Sequence, residues 1–186
     1  MSALRCTPTP LDGLLLVQRH AHEDARGSFS RLFDADALAS VGWNAGVAQV
    51  NHSINTARGT VRGMHYQLTP WAEKKLVSCV RGRIWDVAVD LRRGSPTFLR
   101  WHAQELSAHL GVALLVPEGC AHGFQALCDE AEIIYCHSAP FVPGSQAGVH
   151  PCDPRLSIDW PLPVQRLSQR DNQWPDLGAD FSGIDP

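Results

Sequence analysis

Apolar positions along this chain recur mostly with the two-residue period of a β-strand; the 3.6-residue period of a helix is sparse. Segments 76–80 and 83–91 are rich in Val, Ile and Leu, and Arg81-Gly82 between them predicts a hairpin turn. Within 83–91, Trp85, Val87, Val89 and Leu91 alternate with Ile84, Asp86, Ala88 and Asp90. The alternation predicts one apolar face and one wet face, with Asp86 and Asp90 making structural hydrogen bonds. Further strands are predicted over 98–105, 112–116, 122–127 and 132–137. Turn sequences separate them: Arg93-Gly94-Ser95-Pro96, Pro117-Glu118-Gly119 and Cys128-Asp129-Glu130. The best helix signal is 34–41 (DADALASV), with Asp34 as cap and Gly42 as stop. After Ser138 the chain is rich in Pro, Gly and Asp, which predicts coil wrapped around the strands. Short strands spaced by about 8–12 residues, with no repeat or linker, predict one all-β domain over 1–186, a sandwich or small barrel with short helices and an extended C-terminal tail.

Composition narrows the class of function. Sixteen Lys+Arg against nineteen Asp+Glu give a net charge of −3, without the basic excess of a nucleic-acid binder. A local basic pocket for one phosphorylated small molecule remains compatible with that balance. Hydrophobic residues at 44% and charged residues at 19% suit a folded core. No apolar run approaches the ~20 residues of a membrane span, and 1–10 lacks the basic-then-apolar order of a secretory leader. The expectation is a cytoplasmic protein with no membrane and no nucleic-acid partner. Cys6, Cys79, Cys120, Cys128, Cys136 and Cys152 show no C-x-x-C spacing, and several sit in apolar runs. They are expected as reduced, mostly buried thiols.

Candidate chemistry concentrates in 59–75 (GTVRGMHYQLTPWAEKK), which holds Arg62, His65, Gln67, Lys74 and Lys75. Other candidates are 116–124 with His122, Tyr135 after Ile133-Ile134, and 167–171 (LSQRD). Gly59 followed after five residues by His65, and Pro117-x-Gly119-x-x-His122, match the two motifs of cupins, which are small β-barrels of jelly-roll type. Metal-binding cupins carry a second His where Gln67 stands, and a Glu soon after; Glu73 falls at a displaced spacing. A transition-metal site needs several converging donors, so a barrel that uses His65 and His122 without metal is preferred to a metal-dependent cupin enzyme. In such a pocket a His takes a proton, a cation holds a developing oxyanion, and a Tyr returns a proton. That set suits proton abstraction beside a ketone. No nucleophile elbow, dinucleotide fingerprint or phosphate-binding loop is present.

Longer strings carry a family signal. NHS (51–53), VRGMHYQ (61–67), KLV (75–77), DVAVDLRRGSPT (86–97), PEGCAHGF (117–124), DP (153–154), IDWP (158–161) and LSQRD (167–171) make the chain, from about Arg26 to Asp171, resemble the dTDP-4-dehydrorhamnose 3,5-epimerase family. The resemblance implies a cupin-type β-barrel, a homodimer and no cofactor. It implies a nucleotide-linked 4-keto-6-deoxy sugar as substrate, inverted at C3 and C5 or at C3 alone. His65 then looks like the base, Asp171 its orienting carboxylate, Tyr135 the acid, and Lys75 the cation at the ketone oxygen. Arg26 and Arg62 look like pyrophosphate ligands. Gln49, Asn51, Phe29, His122 and Phe141 match substrate-site positions, and Arg170 replaces the usual Lys before the final Asp. Arg31 and Gln146 stand where Glu is usual, and Glu73-Lys74 where Gln-Gly is usual. These departures touch the nucleotide contacts, so the base stays open, and a binder that has lost catalysis is the remaining alternative. Arg31 is expected at the surface, and His20, His22, His102, His109, His137 and His150 as surface or packing residues.

Overall fold

Val, Ile, Leu and aromatic residues crowd the middle of the chain, and that stretch folds almost wholly into strands. The computed structural model describes residues 4–186. Its strands are β1 (Leu4–Pro8), β2 (Leu15–Arg19), β3 (Ala21–Asp24), β4 (Gly27–Ser30), β5 (Gln49–Asn55), β6 (Val61–Gln67) and β7 (Lys75–Arg81). There follow β8 (Arg83–Asp90), β9 (Trp101–Ser107), β10 (Val112–Val116), β11 (Cys120–Ala126), β12 (Ala131–His137) and β13 (Gln146–Gly148). The helix α1 (Ala35–Ala39) is joined by single 3-10 turns at Pro143–Ser145 and Asp171–Gln173. Two antiparallel sheets result, ordered β1-β2-β10-β7-β12-β5 and β13-β6-β11-β8-β9, while β3 and β4 pair apart as an arm.

The sheets face each other across a shared core, as the all-β pattern predicts. Val77, Cys79, Leu114 and Ile133 of the six-stranded sheet meet Ile84, Ala88, Leu106 and Phe124 of the five-stranded one. Leu38 and Trp43 cover the outer face of the six-stranded sheet over Leu76 and Leu115. The tail covers the other outer face: Leu156, Ile158, Phe181 and Ile184 pack with Met64, Val87, Val89 and Leu91. The tail therefore wraps the barrel as expected, adding β13 to the edge of β6. Among the described residues no helix is long and apolar enough to cross a membrane. The cysteines are free; Cys79, Cys120 and Cys136 are buried, and Cys152 is exposed.

Four expectations need correction. Arg81-Gly82 does not close a hairpin: β7 pairs with β10 and β12, whereas β8 pairs with β9 and β11. The turn is a corner between sheets, made by Gly82 at φ +72°, where a Cβ would stand 2.6 Å from Cys128 Sγ. The Asp86/Asp90 face is not wet, because both carboxylates are 0% exposed and face the barrel interior. Asp90 is held by Arg92 Nη2 at 2.7 Å and Thr97 Oγ1 at 2.6 Å. The strand predicted over 98–105 starts only at Trp101, because Leu99 at φ +60° ends a turn in which Phe98 N–H donates to Ser95 O. The helix keeps its cap, with Asp34 Oδ1 accepting from Ala37 N–H at 3.0 Å, but spans only Ala35–Ala39.

Candidate active site

One wall of the site is built by β6 and β11. His65 lies opposite His122, and Arg62 opposite Phe124, so two residues on β6, Gly63 and Met64, face the single Gly123 on β11. This β-bulge re-aims the strand and lets Arg62 and His65 face the same cavity. Two glycines make the close approach. A Cβ on Gly63 would lie 2.6 Å from Gly123 Cα, and one on Gly123 would lie 2.7 Å from Arg62 O.

His65 Nε2 is 2.6 Å from Asp171 Oδ1. The 3-10 turn at Asp171–Gln173 presents that carboxylate, and the Asp171 N–H donates to Ser168 Oγ at 3.0 Å. Burial pushes the Asp171 carboxyl up, but the bond and charge of His65 and the Gly63 N–H outweigh it and hold the group below the usual carboxylate range. With Nε2–H donated to Asp171, Nδ1 of His65 keeps its lone pair. The Trp174 ring stands edge-on to the His65 ring at 6.2 Å and fills the space a Cβ on Gly148 would take.

The opposite wall comes from the six-stranded sheet. Tyr135 lies between Asn51 and Val77 in register, and Lys75 lies beside His137. Lys75 Nζ is 3.0 Å from Glu73 Oε1 and donates to the His65 carbonyl oxygen at 3.3 Å. The Tyr135 hydroxyl is 3.1 Å from Ser53 Oγ. Burial pushes the Tyr135 phenol well above its ordinary value, so it stays protonated and able to donate. Below it, His122 Nε2 meets Asp86 Oδ1 at 2.8 Å. Burial raises the Asp86 carboxyl against the lowering effect of His122, and Asp86 Oδ2 has no hydrogen-bond partner among the described residues.

Every expected site residue except Arg26 and Phe29 lines one cavity of about 600 Å³. His65 and Asp171 stand on one side of it, and Lys75 and Tyr135 on the other. At its mouth Arg62 Nε donates to Asn55 Oδ1 at 2.7 Å, and Arg170 Nη1 to Gln146 Oε1 at 2.7 Å. The two residues that depart from the family pattern there, Gln146 and Arg170, thus pair with each other. Phe141 is half exposed and donates its N–H to Gln49 Oε1 at 2.8 Å. Arg26 and Phe29 instead sit on the β3–β4 arm. Phe29 is 71% exposed, and Arg26 pairs with Asp24 at 2.6 Å. Arg31 is at the surface, paired with Asp34.

The site also holds residues that the sequence reading gave no role in it: Ser53, Glu73, Asp86, which was expected to make structural hydrogen bonds, and His137, which was expected as a surface or packing residue. His137 is buried in the cavity wall, with Nδ1 3.1 Å from Glu73 Oε2 and Nε2 3.2 Å from Asn51 Nδ2. Its signal was available, since it lies two residues beyond Tyr135 on the same strand and so on the same face. Among the described residues no three His, Cys, Asp or Glu side chains converge as a metal-binding group. Gln67, at the place of the second motif His, donates to Trp71 O, Glu73 and Pro140 O.

The family model for dTDP-4-dehydrorhamnose 3,5-epimerase matches residues 8–179. The chain belongs to this family. It is 40% identical over 173 residues to the dTDP-4-dehydrorhamnose 3,5-epimerase of Streptomyces griseus, covering 91% of this chain and 85% of that protein. It is equally 40% identical over 169 residues to a dTDP-4-dehydrorhamnose 3-epimerase of Streptomyces niveus, covering 90% of this chain and 81% of that protein. Among solved structures, the dTDP-6-deoxy-D-glucose-3,5-epimerase of Legionella pneumophila, in complex with dTDP-4-keto-L-rhamnose, superposes with a TM-score of 0.89 at 33% identity. That match covers 98% of this chain and 99% of the other. The barrel is accordingly the cupin-type fold of these epimerases, and the chain is an isomerase of the dTDP-4-dehydrorhamnose 3,5-epimerase type.

Proposed function

We propose that this epimerase-family chain inverts C3 and C5 of a dTDP-linked 4-keto-6-deoxyhexose by removing and returning protons through an enolate. The observation that carries the reading is the arrangement of one cavity: the His65–Asp171 pair on one side, Lys75 and Tyr135 on the other. A C–H next to a ketone is acidic because its conjugate base is an enolate. His65 Nδ1 takes that proton while Asp171 stabilises the imidazolium that forms. The negative charge moves to the C4 oxygen, where the buried Lys75 ammonium holds it. Tyr135 then delivers a proton to the opposite face of the same carbon, and the centre inverts. Solvent afterwards takes the proton from His65 and reprotonates Tyr135. Asn51, Gln49, His122 and Phe141 line the remaining substrate space. Arg62 and Arg170 supply cations for the diphosphate, whose oxygens suit a guanidinium fork.

The position of Arg26 and Phe29 supports a homodimer. The arm carries them away from their own cavity, so they serve as substrate contacts only in another copy. The edge strand β5 supports the same reading, with Val50 60% and Ile54 50% exposed on its outer face. Sedimentation of the intact chain checks this; a monomer at micromolar concentration contradicts it.

The functional reading is tested by incubating the protein with dTDP-4-keto-6-deoxyglucose in D₂O and following the sugar by NMR. The expected result is deuterium at C3 and C5 with inversion at both. Deuterium at C3 alone identifies a 3-epimerase, the activity named for the Streptomyces niveus relative. No deuterium at either carbon contradicts the reading.

A further inference from the structure

Glu73 stands where the family pattern usually has Gln, and it does not face solvent. Its buried carboxylate collects three donors: Lys75 Nζ at 3.0 Å on Oε1, and His137 Nδ1 and Gln67 Nε2, each at 3.1 Å, on Oε2. Burial pushes this carboxyl up, but His137 and Lys75 outweigh it and hold the group below the usual carboxylate range. One acid is thus shared by the cation at the reaction centre and by an imidazole in the cavity wall.

The direction of the hydrogen bonds beyond that imidazole follows from one backbone group. Phe141 N–H can only donate, so Gln49 turns Oε1 toward it, at 2.8 Å. Gln49 Nε2 then faces Asn51 Oδ1 at 3.4 Å, which leaves Asn51 Nδ2 facing His137 Nε2 at 3.2 Å. An amide NH₂ donates, so Nε2 of His137 accepts, and the ring proton sits on Nδ1, toward Glu73. The chain of bonds is ordered from end to end. Each amide NH₂ keeps a second N–H that no described residue takes, so the wall offers donors and fits acceptor oxygens of a ligand.

We propose that Glu73 and His137 are positioning residues for this site: Glu73 holds the Lys75 ammonium at the cavity and, through His137, sets the direction in which the Asn51 and Gln49 amides present donors to the substrate. The inference rests on the functional reading above, in which Lys75 acts on the enolate and Asn51 on bound substrate. It gives the two residues separable effects. Loss of the Glu73 charge acts on the chemical step, and loss of the His137 acceptor acts on binding.

The test is steady-state kinetics on dTDP-4-keto-6-deoxyglucose, with folding of each variant checked by circular dichroism. Glu73→Gln is expected to lower kcat about tenfold with a smaller change in KM. His137→Ala is expected to raise KM about tenfold with a smaller change in kcat. His137→Gln, whose Oε1 can accept from Asn51, restores most of that loss; His137→Asn, too short to reach Asn51 with its amide, does not. The last two variants differ by one methylene, so their comparison decides the matter even where His137→Ala fails to fold. A wild-type chain that exchanges no deuterium sinks the functional reading and this inference with it. An active wild type whose three His137 variants behave alike, or whose Glu73→Gln variant keeps wild-type kcat, sinks the inference alone.

Discussion

A phenol kept protonated by burial holds a proton to give and offers no site to accept one, and Tyr135 is such a group, its hydroxyl 3.1 Å from Ser53 Oγ. On the proposed mechanism, removing that hydroxyl leaves His65 free to abstract and return protons from its own side. Tyr135→Phe is therefore expected to keep deuterium uptake at C3 while losing net inversion there, read by NMR of the recovered sugar. An inverted product at the wild-type rate would contradict the assignment. His65, Lys75 and Asp171 were legible as residues because each sits inside a string that resembles a family motif, and Tyr135 because it falls at the position of the family's acid. Asp86 was legible only as one member of an alternating strand. Period-two patterning marks two faces but does not say whether the polar one meets water or a polar cavity. His137 was passed over for a related reason: it lies outside any motif, and only the pleat links it to Tyr135.

At the scale of elements, the strands flanking the site were the hardest to read. In β5 (QVNHSIN) and β6 (VRGMHYQ) the inward positions are polar because they line the cavity, so neither shows a regular apolar–polar alternation like the one along β8. The sheet assignment of β7 and β8 was also hidden, since Arg-Gly at a tight turn is the same local chemistry whether it closes a hairpin or turns a corner. The bulge between β6 and β11 makes a sharp prediction. A methyl group at position 123 would stand 2.5 Å from Met64 Sδ and 2.7 Å from Arg62 O. Gly123→Ala should cost about 1–3 kcal/mol in denaturant unfolding, as overpacking of a close-packed interior does. It should also lower kcat/KM by displacing Arg62 and His65 together. A variant with wild-type stability and activity would show that the bulge does not set the site.

For the whole molecule, buried carboxylates couple the fold to pH. Asp90 and Asp171 are held below their ordinary range by their partners despite burial, which alone would raise them. Each therefore contributes stability that is complete above an unfolded-state value of about 4 and is lost as pH falls through the lower folded-state value. Asp86 runs the other way: its raised carboxyl contributes at low pH and loses that contribution as pH rises through its folded-state value. Asp90→Asn should lower stability at pH 7 and flatten the acid limb of urea unfolding measured from pH 7 to pH 3; an unchanged acid limb would contradict this. The barrel and its tail were readable from strand spacing and composition, whereas the outward course of the β3–β4 arm was not, because nothing local to Arg26 or Phe29 distinguishes a loop over its own cavity from one reaching elsewhere. The central claim concerns one imidazole, and the most direct measurement is the rate of deuterium entry at C3 of dTDP-4-keto-6-deoxyglucose for wild type and His65→Ala, both confirmed as folded. The account predicts a fall of at least about 10²-fold, the scale of a lost general base; entry at the wild-type rate would contradict it.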